Sequence, residues 1–376
     1  GLCEYVGGKY ISYTDEHPIT MNPFAIKREE LNIEKIGFLK NLVMLIWKGT
    51  QGEVSKTEDR LIEQVITEYF DEYFMKKQIE NLSFNTFYEY STVRIPQIIK
   101  ENNLAGIDLA SYNYLLKDFY KGGSHELTLN ENLDTKLFDE TFIVFEIDSI
   151  KDDPLLFPLV TLIIMDVFIQ KMRIKKNRKV LVIEEAWKAI ASPMMAEYIK
   201  YLYKTARKFW ASVGVVTQEI QDIVGSPIVK EAIINNSDVV MLLDQSKFRE
   251  RFDEIKAILG LTDVDCKKIF TINRLENKEG RSFFREVFIR RGSVGGVFGV
   301  EEPHECYMTY TTERAEKEAL KLYKKELQCD HQHAIEAYCR DWELSGITKS
   351  LPFAQKVNQT GHVLNIKPKR KFDEYM

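Results

Sequence analysis

Cysteine is scarce in this 376-residue chain. Its five residues, Cys3, Cys266, Cys306, Cys329 and Cys339, are odd in number and scattered. They make no disulfide framework, which points to a reducing cytoplasm. Long apolar runs are also missing. The longest, Leu155 to Met165, stops at Asp166 and is too short to cross a bilayer. No signal peptide opens the chain, which starts GLCEYVGGKY without an initiator Met and reads as a piece of a longer protein. Basic charge is not in excess. Lys and Arg number 52 against 57 Asp and Glu, a net charge of −5. A dedicated nucleic-acid-binding domain is usually strongly basic, so at most a local basic patch is left. What is present is core material. Hydrophobic residues make up 44% and aromatics 12%, which excludes disorder. At about 150 residues per domain, the length predicts two to three domains.

The first strand signal is KYISY, Lys9 to Tyr13. Pro18 and Pro23 make the following HPITMNPF an extended connector. Residues 25–137 carry helical spacing instead, as in Ile36, Leu39, Leu42, Val43 and Ile46, and again in Leu61, Val65, Ile66 and Phe70. STVRIPQIIKENN and ASYNYLLKDFYKGG read as further short helices. The texture changes at Thr141. TFIVFEI, KVLVIEEAW, ASVGVVTQE and SDVVMLLD read as buried strands, alternating with helices such as PLLFPLVTLIIMDVFIQKM and PMMAEYIKYLYKTARKF. That alternation predicts an α/β core with a mostly parallel sheet. REVFIRRGSVGGVFGV reads as a hairpin or edge element, TERAEKEALKLYKKEL and IEAYCRDWEL as helices, and IKPKRKFDEYM as a loose polar tail. The expected segments are therefore 1–24, a strand and connector; 25–137, a mostly helical region; 138–310, an α/β core; and 311–376, C-terminal helices and tail.

Three motifs carry chemistry. In VLVIEEAW an apolar strand ends in Glu184 and Glu185. The C-terminal edge of such a strand is where ligands bind in open α/β sheets, and desolvating adjacent carboxylates without a task is costly. In a P-loop ATPase this is the Walker B element: the first acid holds the hydration shell of Mg²⁺, and the second orients and deprotonates the attacking water. The plainer reading is a strand end with two solvated acids. The next strand runs into Thr217 and Gln218 at the same edge. A glutamine there can bond both a γ-phosphate and the attacking water, or simply cap the next segment. Arg207, in TARKF, ends the intervening helix at the opposite edge and faces away from its own subunit's nucleotide. It either complements a helix dipole or serves a neighbouring subunit as an arginine finger.

The stretches GGKYISY with MNPF, VLVIEEAWKAI, TARKF, VVTQE and NNSDVVMLLDQS, in this order, resemble the VirB-type conjugation ATPases of type IV secretion systems. The resemblance covers nearly the whole chain, and MNPF after a GGKYI strand is particular to the conjugation branch. It implies a RecA-like P-loop ATPase core to which 1–24 belongs, with 25–137 as an all-α domain inserted before the Walker B strand. It also implies ATP and Mg²⁺ as ligands, assembly into a ring of like subunits, and work at the cytoplasmic face of the inner membrane beside other subunits of a conjugation apparatus. On this reading Glu185 is the general base, Glu184 the Mg²⁺-water ligand, Gln218 the γ-phosphate sensor and Arg207 the finger in trans. Two departures stand out. The family's first acid is usually Asp, where this chain has Glu184. A P-loop also needs G-x-x-x-x-G-K-[ST], and no such string occurs; Gly7-Gly8-Lys9-Tyr10 lacks the first Gly and the hydroxyl. In the family the loop precedes the GGKYI strand, so the chain alone is expected to be inactive. The rivals are a DNA-pumping coupling ATPase and a non-catalytic docking module.

Other signals are weaker. Gly292, Gly295, Gly296 and Gly299 do not match G-x-G-x-x-G and read as a turn. Cys329, His331, His333 and Cys339 match no standard zinc spacing. Lys171, Arg173, Lys175, Lys176, Arg178 and Lys179 precede the acidic strand at the edge away from the acids. Helix-dipole complementation explains part of this run, and a weak nucleic-acid contact is the alternative. Lys367, Lys369, Arg370 and Lys371 read as a solvated tail.

Overall fold

The computed structural model describes residues 1–14, 16–50, 52–77, 81–131, 135–184, 193–217, 233–273 and 284–364. They form two compact units, Ile11–Asp139 with Phe145–Ser237, and Gly1–Tyr10 with Glu140–Val144 and Asp238–Met376. The expected KYISY strand is β1, Lys9–Ser12, and it pairs with β2, Ile143–Glu146. Lys9 N–H donates to Phe142 O and Tyr13 N–H to Glu146 O, each at 2.9 Å. The two bonds advance in step, so β1 and β2 run parallel.

Within the first unit, every described element between residues 28 and 138 is helical. The helix Ile33–Lys48 starts at Asn32, whose side chain accepts from Lys35 N–H, and stops at Gly49 with φ 67°. The helix Lys56–Phe70 opens on a capping box in which Ser55 and Glu58 bond reciprocally. STVRIPQIIKENN is not a short helix. It belongs to a 19-residue helix, Phe84–Asn102, nucleated upstream by a Ser83–Thr86 capping box. Pro96 interrupts its bonding, but Pro96 is exposed, so water can satisfy the freed carbonyl.

The MNPF segment is anchored in this helical region. Phe24 is fully buried and packs on Phe87 (centroids 4.8 Å apart), Tyr69 (5.9 Å) and Phe84 (6.1 Å). The Asn22 side chain donates to Leu82 O at 2.7 Å and accepts from Phe24 N–H at 3.1 Å. Both its amide and its carbonyl are therefore satisfied in a buried site.

In the same unit the apolar helix Leu156–Ile174 leads into β3, Lys179–Ile183, and the helix Pro193–Thr205 leads into β4, Ala211–Val215. β3 and β4 are parallel, from Lys179 opposite Ala211 to Ile183 opposite Val215.

In the second unit β5, Val239–Leu242, pairs antiparallel with β6, Phe284–Arg291, which pairs antiparallel with β7, Val294–Glu301. This corrects the expectation of one mostly parallel sheet. Among the described residues there are three separate ladders, and the strand read as a further parallel neighbour, SDVVMLLD, takes the edge of a hairpin. The hairpin itself was expected. Arg291 and Val294 pair across Gly292-Ser293, and Gly292 has φ 58°, as a tight two-residue turn requires. Helices His304–Tyr310, Arg314–Leu327, His331–Ser345 and Ser350–Thr360 follow, sharing a core around Tyr323, Tyr338 and Phe353.

Candidate functional site

Because β3 and β4 are parallel and in register, they end together. Val216 N–H donates to Ile183 O at 2.9 Å, carrying the ladder one residue past β4. Glu184 lies in the turn directly after β3 and is exposed; Thr217, half-buried, follows β4 by two residues. The predicted convergence of the two strand ends is thus present for Glu184 and Thr217. Glu185 and Gln218 lie outside the described residues. Glu184 sits where a carboxylate keeps its hydration and can reach a hydrated cation, the donor type that Mg²⁺ prefers.

The strand that bears Glu184 departs from the expectation of full burial. Val180 is 69% exposed and Val182 57%. A strand alternates its side chains between two faces. Four apolar residues in a row, Val180 to Ile183, signal a buried strand without proving that both faces are covered.

Arg207 lies on the opposite edge, as its position in the chain implies. The helix Pro193–Thr205 ends in a 3₁₀ turn, Ala206–Phe209, on which Arg207 is exposed. β4 then runs back toward Glu184. At about 3.3 Å per residue its five residues separate the two edges by about 13 Å. Arg207 and Glu184 therefore do not form one constellation within this unit.

The basic run before β3 is largely engaged internally. Lys179 is buried, and its ammonium donates to Met172 O at 3.1 Å, to Lys175 O at 2.5 Å and to Phe209 O at 2.9 Å. Lys175 bonds Asp139 at 2.6 Å, Lys171 bonds Leu137 O at 3.4 Å, and Arg173 pairs with Glu34. Lys176 and Arg178 are exposed. Helix-end complementation is real here, but the special place of Lys179 is not legible in a run of six cations. Its partner Phe209 lies 30 residues away.

The remaining signals resolve into local structure. Gly295 lies in β7, where a side chain would meet the Phe288 ring at 2.6 Å, and its carbonyl accepts from Lys268 Nζ at 2.7 Å. Cys339 is buried, and burial pushes its thiol well above the usual range. His333 pairs with Asp330, which raises the imidazole. No group of three or more His, Cys, Asp or Glu placed to hold a metal ion occurs among the described residues. No helix among them is long and apolar enough to cross a membrane. The tail cations Lys367, Lys369, Arg370 and Lys371 lie outside the described residues.

A family model described as the TraG P-loop domain matches residues 1–342. Among solved structures, VirB4 of Thermoanaerobacter pseudethanolicus is similar with a TM-score of 0.56 at 19% identity, covering 80% of this chain and 78% of that one. At that identity the likeness is one of fold, a mixed α/β fold rich in helices. The bacterial conjugative coupling protein TrwB gives a TM-score of 0.47 at 12% identity, covering 80% of this chain and 75% of that one. That score is too low to carry an argument. No curated protein matches the chain.

Proposed function

The chain belongs to the TraG P-loop domain family, and from that membership we propose that it is the acid-bearing part of a conjugation ATPase motor. It resembles the TraG protein of conjugative transposons, and ATP hydrolysis would power pilus assembly or DNA and protein transfer. The observation that carries the reading is the shared end of β3 and β4, which puts Glu184 and Thr217 at one C-terminal edge. Glu185 and Gln218 each follow by a single residue in sequence.

The roles follow from the chemistry of hydrolysis. Glu185 takes a proton from the attacking water, and Gln218 orients that water and senses the γ-phosphate. Glu184 holds Mg²⁺ through water; its longer side chain, where Asp is usual, suits outer-sphere contact. The ion would supply neutralisation of charge on the β- and γ-phosphates. Arg207, about 13 Å of strand from that edge, serves a neighbouring subunit's nucleotide in a ring. The phosphate cradle is not among these 376 residues, since no G-x-x-x-x-G-K-[ST] string occurs. We therefore place it in the full-length ATPase, and the 376 residues alone are proposed not to turn over ATP.

The proposed division keeps residues 1–24 and 138–310 as core, 25–137 as a helical insertion and 311–376 as C-terminal helices and tail. That every described element between residues 28 and 138 is helical supports it. The motor is proposed to act at the cytoplasmic face of the inner membrane with other subunits of the apparatus.

Magnesium titration of the full-length protein tests the reading. Glu184→Ala should raise the Mg²⁺ concentration needed for half-maximal phosphate release, with restored turnover at high Mg²⁺. An unchanged Mg²⁺ dependence would remove Glu184 from the site.

A further inference from the structure

Lys179 has a bonding pattern that helix capping alone does not explain. An ammonium has three N–H donors. Two of those at Lys179 go to Met172 O and Lys175 O, closing the C-terminal end of the helix Leu156–Ile174. The third leaves that helix and donates to Phe209 O at 2.9 Å, the last residue of the turn that bears Arg207. The Lys179 backbone N–H donates to the next carbonyl, Trp210 O, at 3.1 Å. One residue thus holds the turn by side chain and main chain together.

The turn it holds is strained. Trp210 has φ 57°, a left-handed conformation that a bulky side chain rarely adopts, and its indole is 68% exposed. Such strain persists only where the surroundings over-determine it, and it clusters at functional sites. Burying a charged ammonium to fix a surface turn is likewise costly without a purpose.

We infer that Lys179 is a positioning residue for Arg207, fixing the 3₁₀ turn Ala206–Phe209 so that the guanidinium is presented to the adjacent subunit. This rests on the proposed role of Arg207 as a finger in trans. A finger contributes only if its charge arrives where charge develops on the transferred phosphoryl group. A misplacement of about 1 Å can cost about 100-fold in rate. An ammonium whose three donors are spent on carbonyls has no capacity left to act on nucleotide itself, so its effect must run through the turn.

The test is steady-state hydrolysis by the full-length ATPase, with ATP affinity and thermal unfolding measured on each variant. Lys179→Met should lower kcat by about 10- to 100-fold and leave ATP affinity unchanged. Mixing Lys179→Met subunits with Glu185→Gln subunits should recover activity, because one interface then pairs an intact base with an intact finger. Mixing Lys179→Met with Arg207→Ala should recover none. A general loss of stability would give no such selectivity, and Val65→Ala, which deletes buried methyls in the helix Lys56–Phe70, shows how much rate destabilisation alone removes. Near wild-type kcat in Lys179→Met, or a loss that Glu185→Gln subunits do not rescue, would overturn the inference. If Lys179→Met does not fold, Trp210→Val decides. A β-branched residue disfavours the left-handed conformation at φ 57°, so it loosens the turn without touching Lys179, should show the same rescue pattern, and overturns the inference if turnover stays at wild type. Wild-type turnover in Arg207→Ala would instead sink the finger itself, whatever Lys179 does.

Discussion

Lys35 Nζ lies 2.8 Å from Asp166 Oδ2, and both side chains are buried. The pair joins the helix Ile33–Lys48 to the helix that leads into β3. Gln170 Nε2 bonds the same carboxylate oxygen, and the Lys35 ammonium lies 4.6 Å from the Phe38 ring centroid. A buried pair gains little over apolar packing, but breaking it strands a charge. Asp166→Ala should therefore destabilise the protein by about 3–5 kcal/mol. The double replacement Lys35→Met with Asp166→Leu should recover most of that loss. Urea unfolding of the single and double variants measures both. A double variant as unstable as Asp166→Ala would mean that the pair does more than neutralise itself.

The MNPF segment is a structural anchor. Phe24 is enclosed by Tyr69, Phe70, Phe84 and Phe87. Phe24→Ala should cost about 3–5 kcal/mol, as for other buried Phe truncations. Phe24→Leu should cost less, since it leaves a smaller void. Thermal unfolding distinguishes this from a surface role, in which both substitutions would be close to neutral.

Glu58 makes folding sensitive to acid. Burial alone would raise its carboxyl, but bonds from Lys48 Nζ and from the Ser55 N–H and hydroxyl outweigh that and hold it below its ordinary value of 4.5. A carboxyl depressed in the folded state stabilises above its unfolded pKa, and that contribution disappears as pH falls through the folded value. Unfolding free energy should fall as pH drops below the usual carboxylate range. Glu58→Gln should be less stable at neutral pH and show a shallower decline. Parallel acid slopes in the two proteins would remove Glu58 as a contributor.

Much of this was legible in the sequence. KYISY, the acid-ended strand, the Thr217 strand and the Gly292 hairpin follow from period, composition and turn chemistry. The placement of Arg207 opposite Glu184 follows from strand and helix polarity alone. Other features depend on partners distant in the chain. Nothing around Ser246–Leu259 marks the first six residues as a 3₁₀ segment ahead of the helix Phe252–Leu259. The apolar run of β5 looked like a parallel neighbour, yet its edge is taken by β6, whose Arg291 pairs with Val239. Lys179 is indistinguishable in sequence from the five cations before it, because its role is fixed by carbonyls that the fold brings to it. Glu185 and Gln218, the residues on which the hydrolytic reading depends most, lie outside the described residues, so their roles rest on the strand ends beside them and on family membership.

Hydrolysis at the shared end of β3 and β4 is tested most directly by separating ATP binding from turnover in Glu185→Gln of the full-length protein. Glutamine keeps the shape of the side chain and removes the base, and a positioned general base contributes about 10²–10⁴-fold. ATP affinity should stay close to wild type while phosphate release falls by about 100-fold or more. Equal loss of binding and turnover, or turnover that survives the substitution, would contradict hydrolysis at that edge.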